Sequence, residues 1–179
     1  KLKCQEEGKR DVFDSDNYQK ILEEELNALG KYGKQIKKIG HRVVFGGGKY
    51  RKPIKIKENV LQDLENLSGV ASLHNPHNLL GVRTASAIFP EAEQIAIFDT
   101  EFYSNFLPKV FSYPLPEEIR TQYGYRKFGF HGISHEYVSK EGAKIIKKSF
   151  NKLKIISCHL GGGVSITAIK NGRAVDTSM

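Results

Sequence analysis

Three polar side chains in this sequence stand where apolar runs end. Asp99 follows Gln-Ile-Ala-Ile-Phe, His131 follows Lys-Phe-Gly-Phe, and His159 precedes Gly161-Gly162-Gly163. In open α/β sheets, ligands collect outside the carboxyl ends of the strands, where a carboxylate or imidazole can hold charge or move a proton. A fourth residue, Arg42, lies inside the apolar stretch Gly-His-Arg-Val-Val. An arginine drawn toward an interior needs an anionic partner, and its planar fork matches a carboxylate or a phosphate. The three glycines lack a Cβ, so their turn can aim backbone N–H groups at an anion and let a phosphate approach closely. Carboxylate, guanidinium, imidazoles and a phosphate-sized turn together suggest a nucleotide enzyme. Taken singly, each has a plainer reading. Asp99 could be a turn residue, His131 a packed ring, Arg42 half of a structural salt bridge, and His74-Asn75-Pro76 only a helix start.

The elements that must carry these residues are legible from periodicity. Tyr18, Leu22, Leu26 and Leu29 have helical spacing, with Asp14 and Ser15 as caps and Gly30 as the stop. Gln35 to Phe45 reads as a strand ending in Gly46-Gly47-Gly48, and Pro53 to Ile56 as a short one. Val60, Leu61, Leu64 and Leu67 suit a helix. Asn75-Pro76 is a cap and first turn for a helix to Phe89, stopped by Pro90. Gln94 to Phe98 is a short apolar strand. Leu107 to Pro116, with three prolines, reads as irregular, and a short helix then runs from Pro116 to Gly124. Lys127 to Phe130 is taken as a brief strand. From Ser134 a helix with Tyr137, Val138, Ile145 and Ile146 on its inner side runs to about Lys148. Leu153 to Met179 reads as strand, glycine turn, strand, Asn171-Gly172 hairpin and third strand, because Asn-Gly between β-branched runs is a strong hairpin signal.

Composition narrows the class. The 179 residues are 39% hydrophobic and 27% charged, a globular balance with room for one large domain or parts of two. No apolar run approaches the roughly 20 residues of a membrane helix, and the first ten residues lack a signal peptide's apolar core, so neither a membrane nor export is expected. The net charge of +8 is spread in small groups with few aromatics between them, which suits anionic small molecules better than nucleic acid. Cys4 and Cys158 are far apart and neither they nor the six histidines repeat at ligand spacing, so no metal ligand is assigned in the chain. Reduced thiols in a cytoplasm are the expectation. With no initiator Met, the chain reads as an interior piece of a longer protein.

Six stretches in order carry a resemblance. Gly40-His-Arg-Val-Val, Leu73-His-Asn-Pro, Ile97-Phe-Asp-Thr-Glu-Phe, Tyr125-Arg-Lys-Phe-Gly-Phe-His-Gly-Ile-Ser-His, Cys158-His-Leu-Gly-Gly-Gly and Asp176-Thr-Ser-Met resemble the acetate kinase family, which is close to the propionate kinases. The resemblance implies an α/β fold: the duplicated actin-like, ribonuclease H-like architecture, here truncated at both ends. It divides the chain into residues 1–102, a first α/β domain lacking its opening strands, and 103–179, the start of a second. It implies reversible phosphoryl transfer between ATP and acetate, giving acetyl phosphate and ADP, in a cytoplasmic enzyme that is homodimeric at full length. By the same resemblance Arg42 binds the substrate carboxylate, while Val44, Leu73 and Phe130 form a pocket for the methyl group. Asp99 is the catalytic acid/base and His131 stabilises the transition state. His159, Leu160, Gly161, Gly162 and Gly163 contact nucleotide phosphate. His74 and His135 are further active-site histidines, with His74 counted among the substrate-binding residues. Mg²⁺ is implied with its ligands outside this stretch, and residues 1–179 alone are expected to be inactive.

One role can be argued against the pattern. A short carboxylic acid is already ionised at neutral pH, so the acceptor needs no base, and Asp99 is better suited to orienting Arg42 or another cation. Five departures also stand out: Phe45 where His is usual, Ile133 for Thr, Glu101 and Tyr103 for Ala and His, and Gly162 for Asn. They keep two alternatives open: a kinase of propionate or another short acid, and a non-catalytic actin-like module that binds an anion.

Overall fold

The computed structural model describes residues 15–179. Two three-stranded sheets organise them. In the first, β1 (Lys38–Val43) runs parallel to β3 (Glu93–Phe98), and β2 (Ile54–Lys55) adds antiparallel on the far side of β3. A parallel pair requires a crossover. It is supplied by α2 (Glu58–Asn66) and α3 (Asn75–Ile88), with α3 packed on β1 and against α1 (Ser15–Ala28). The core between them is Val43, Val60, Leu64, Leu79, Ala96 and Phe98, with Tyr50 stacked flat on Phe98 at 5.8 Å.

The second sheet is an antiparallel meander of β4 (Lys154–Leu160), β5 (Val164–Lys170) and β6 (Arg173–Thr177). Leu160 pairs with Val164, so the three glycines form the loop of the first hairpin. Asn171 and Gly172, both with positive φ, form that of the second. Between the sheets lie the short helices α4 (Pro108–Phe111) and α5 (Glu117–Tyr123), then α6 (Gly132–Ile145), which packs on β4.

Helix and strand positions follow the sequence reading closely, with four corrections. Asn75 is not a cap: its side chain is fully buried, where its Oδ1 accepts from Phe45 N–H at 3.3 Å and its Nδ2 donates to Phe45 C=O at 3.0 Å. Lys127 to Phe130 is no strand. Its groups bond elsewhere, Lys127 N–H to Phe111 C=O and Phe130 C=O to the Tyr103 hydroxyl, and Gly129 turns left-handed. The expected irregular stretch from Leu107 contains the turn of helix α4. The expected inner face of α6 is its outer one. Tyr137, Val138, Ile145 and Ile146 are exposed, and the buried side carries His135, Ser139 and Ala143. Asp14 lies outside the described residues.

The reversal in α6 has a counterpart in the sheet it covers. On β4 and β5 the inward positions are Ser157, Ser165, Thr167 and Ile169, while Ile156, Leu160, Val164 and Ile166 face out. Tyr103, almost fully buried, ties this polar interior together, its hydroxyl lying 2.9 Å from Thr167 Oγ1, which is 3.1 Å from Thr177 Oγ1.

Asn75 offers a direct test of how the first half is held. Asn75→Ala strips a buried N–H and a buried C=O of Phe45 of their partners, each costing about 1–3 kcal/mol. In the full-length protein the variant should lose about 2–4 kcal/mol of unfolding free energy in a denaturant titration. A loss below 1 kcal/mol would mean water replaces the amide.

Candidate active site

The ends of β1 and β3 bring Arg42 and Asp99 together. Asp99 N–H continues the ladder to Val43 C=O at 3.1 Å, which places its carboxylate beside the Arg42 guanidinium. Arg42 Nε donates to both carboxylate oxygens, at 3.2 and 3.1 Å, and an Nη donates to Oδ2 at 2.6 Å. The pair is lopsided: Asp99 is 1% exposed, whereas the Arg42 side chain is 59% exposed. Arg42 is held above its ordinary pKa, chiefly by the hydrogen bond to Asp99, and its positive charge is fixed. One end of the guanidinium is locked to the protein and the rest is turned outward.

Asp99 C=O accepts from Gly132 N–H at 2.9 Å, which docks the start of α6 against the end of β3. A Cβ on residue 132 would meet that oxygen at 2.3 Å, so only glycine permits the contact. The residue before it, His131, adopts a left-handed backbone at φ 58° and caps α6. This turn carries the His131 ring over the second sheet, where it stacks on His159 at 4.1 Å. His131 Nδ1 lies 2.9 Å from Ser165 Oγ, and His159 Nδ1 lies 2.9 Å from Ser134 Oγ. Burial, and then the neighbouring His159, push the pKa of His131 below its ordinary value. Gly163 packs on the His131 ring so closely that a Cβ would fall 2.9 Å from Cε1. The glycine turn and the histidine therefore belong to one surface.

These groups line a cleft of about 920 Å³. One side is apolar: Val44, Phe45, Phe128, Phe130 and Ile133, with Val70 and Ala71 at its edge. Phe45 meets Phe128 edge-on at 4.8 Å and supports this wall. The other side is polar and cationic, with Arg42, His74, His131, His159, Gly162, Gly163 and the first turn of α6. A helix N-terminus favours an anion through its free N–H groups and dipole. The arrangement can hold a small acid with its carboxylate on Arg42 and its apolar end on the phenylalanines, beside a second anion near the histidines.

Of the residues singled out from sequence, Arg42, Val44, His74, Asp99, Phe130, His131, His159, Gly162 and Gly163 meet in this cleft. Leu73 is not among its lining residues and is 79% exposed; Val70 and Ala71, from the same turn before α3, line the cleft instead. Leu160 and Gly161 are also outside the lining, since the hairpin loop presents only its second and third glycines. Sequence reasoning missed Phe128, Ser134, Ser157 and Ser165. Ser157 and Ser165 gave no signal, because alternation of polar and apolar residues reads a strand serine as solvent-facing, and Ser134 reads only as a helix start. Phe45 and Ile133 did stand out as departures.

Among the described residues, no group of three or more His, Cys, Asp or Glu side chains could hold a metal ion, and both oxygens of Asp99 already accept from Arg42. The described residues therefore do not fit a self-sufficient Mg²⁺ site. No helix among them is long and apolar enough to cross a membrane.

The model of the acetokinase family matches residues 2–179. The chain belongs to this family. Acetate kinase 2 of Photobacterium profundum is 44% identical over 179 residues, covering 97% of this chain and 45% of the relative. The acetate kinase of Thermotoga maritima is 43% identical over 159 residues, covering 89% of this chain and 39% of the relative. Among solved structures, Porphyromonas gingivalis acetate kinase superposes with a TM-score of 0.80 at 38% identity, and a propionate kinase from Francisella tularensis with 0.81 at 39%. Both superpositions cover 90% of this chain and 42% of the other. The actin-like α/β fold of the acetokinase family is thereby shown, and the chain spans less than half the length of these relatives.

His135 lies beneath the cleft and is 1% exposed. Burial, aided by His159 and His131, lowers its pKa from 6.5 to about 4. A histidine with a depressed folded pKa binds protons more readily when unfolded, so its contribution is complete above about pH 6.5 and is lost as pH falls toward 4. The melting temperature of the full-length protein should fall across that window, and His135→Gln should flatten the slope there. An unchanged slope in the variant would place the acid sensitivity elsewhere.

Proposed function

We propose that this chain supplies the acid-binding and phosphoryl-facing groups of an enzyme that transfers a phosphoryl group reversibly between ATP and acetate, giving acetyl phosphate and ADP. The observation that carries the reading is the Arg42 guanidinium, anchored by a buried Asp99 and presented beside an apolar wall and a pair of histidines. A short acid would bind with its carboxylate on the outward face of Arg42 and its methyl group toward Val44 and Phe130. The names of the relatives support acetate. The propionate kinase among the superposed structures makes a slightly longer acid the second reading, and the cleft has room for it. The two sheets, one before Asp99 and one after Lys154, support a division into two α/β units near residue 102.

The chemistry asks little proton transfer of the protein. The acid is ionised at neutral pH and attacks as the carboxylate, and phosphoryl transfer depends on position and charge neutralisation. Asp99, with both oxygens bonded to Arg42, orients the guanidinium rather than accepting a proton from substrate. His131 and the N-terminal turn of α6 lie where charge accumulates on the transferring oxygens, the place at which donors accelerate such reactions most. His159 and the Gly162–Gly163 backbone would hold the donor's phosphates.

Trapping acyl phosphate with hydroxylamine tests the reaction in the full-length protein, with acetate and propionate compared at equal ATP. Acyl hydroxamate should form with both and at higher kcat/KM with acetate. His131→Ala should lower kcat by ~10²-fold while KM for the acid stays within about twofold. A change confined to KM would reduce His131 to a binding contact. No hydroxamate from wild type would sink the reaction and leave an anion-binding module.

Gly162 supplies a separate test, because nothing lies within 4 Å of a Cβ built there. Gly162→Asn should leave the melting temperature unchanged. It should tighten nucleotide binding by roughly fivefold, the worth of one added hydrogen bond of about 1 kcal/mol. Unchanged nucleotide affinity would move the phosphates away from this turn.

A further inference from the structure

His135 touches no part of the cleft, yet it sits in an unbroken line that ends there. Its Nδ1 lies 2.9 Å from Ser157 Oγ, and its Nε2 lies 2.8 Å from Ser165 Oγ. Ser165 Oγ is in turn 2.9 Å from His131 Nδ1. All of Ser157, Ser165 and His135 are buried. A neutral imidazole carries one N–H donor and one bare nitrogen, and a hydroxyl has one hydrogen to give. Three proton arrangements fit the line, and one of them, in which both histidines donate to Ser165, leaves the Ser165 hydroxyl hydrogen buried without an acceptor; the other two are as follows. In the first, His135 Nδ1–H donates to Ser157, Ser165 donates to His135 Nε2, and His131 Nδ1–H donates to Ser165. The Ser157 hydroxyl hydrogen is then left buried without an acceptor. In the second, Ser157 O–H donates to His135 Nδ1, His135 Nε2–H donates to Ser165, and Ser165 O–H donates to His131 Nδ1. The hydroxyl hydrogens of Ser157 and Ser165 are then both satisfied, as buried polar groups generally are.

We propose that His135 is a positioning residue that fixes the tautomer of His131 through Ser165, so that His131 carries its proton on Nε2. That nitrogen, 3.0 Å from where a Gly163 Cβ would stand, is then a fixed N–H donor at the glycine turn. Burial pushes the pKa of both histidines down, which favours neutral rings. A donor held in place needs no rearrangement when charge builds on an adjacent oxygen. In the opposite tautomer His131 would present a lone pair to the same anion and repel it. The catalytic consequence rests on the phosphoryl-transfer reading; the tautomer itself rests only on the bonding geometry.

The two can be separated. Two-bond ¹H–¹⁵N correlation spectra of ¹⁵N-histidine-labelled full-length protein, without substrate, distinguish the ring tautomers. His131 and His135 should both appear as Nε2–H, with an acceptor-type Nδ1. A His131 found as Nδ1–H in the wild type overturns the proposal with no variant needed. His135→Leu should turn His131 into a mixture of tautomers and lower kcat about tenfold with KM for the acid unchanged. His135→Gln, which keeps an amide N–H for Ser165, should preserve the Nε2–H form and most of kcat. If His135→Leu keeps a pure Nε2–H ring on His131, or if Gln and Leu behave alike, His135 is a packing residue only. If wild type makes no acyl phosphate, the reaction fails and the spectra alone still decide the tautomer.

Discussion

A carboxylate almost removed from water cannot keep its charge without a partner, and the Asp99–Arg42 pair is the interaction around which this site is arranged. Asp99 is engaged on all sides. Its N–H closes the ladder to β1, its side chain fixes the guanidinium, and its C=O receives Gly132 N–H. One residue thereby joins the parallel sheet, the anion-binding fork and the start of α6. The left-handed turn at His131 follows directly from that docking, and the stacked histidines follow from the turn. Movement of Asp99 would be felt at Arg42 and at the start of α6.

The second half is held by different physics. Where β4 and β5 meet α6, hydroxyls and an imidazole share the interior with only a few aliphatic side chains, Ile169 and Ala143 among them. Such an interior is stable only when its members satisfy one another, since a half-bonded network in a low dielectric is costly. Here Tyr103 with Thr167 and Thr177, and His135 with Ser157 and Ser165, close most of those bonds. The directionality of hydrogen bonds gives this region a definite geometry that close-packed methyl groups would not impose on a ring nitrogen.

Much of the fold was legible because turns, prolines and periodicity punctuate the chain clearly. The Asn171-Gly172 hairpin, the proline at the start of α3 and the apolar β3 all lie where local chemistry puts them. Nine of the residues that the ordered motifs singled out line one cleft. What was not legible depended on contacts distant in sequence. Asn75 looks like a cap until Phe45, far away in the chain, takes both ends of its amide. Leu73 looks like a pocket residue, but Val70 and Ala71 from the same turn before α3 line the cleft instead. Tyr137, Val138, Ile145 and Ile146 look like an inner face because hydrophobicity is the usual guide to burial, and in α6 that guide points the wrong way.

That inversion bears on how the chain finds its pairing. Strand register is ordinarily enforced by hydrophobicity, because slipping by one residue turns every apolar side chain to the other side. On β5 the same slip would do the opposite. It would carry Val164 and Ile166 under α6 and expel Ser165, Thr167 and Ile169, exchanging one buried aliphatic side chain for two. Correct alignment must then come from the tight Asn171-Gly172 turn and from the hydrogen bonds that only the native register can complete. A misaligned sheet would be compact and greasy inside, and chemically blind, because Ser165 would no longer sit under either histidine. Hydrophobicity alone therefore does not select the native register on this strand.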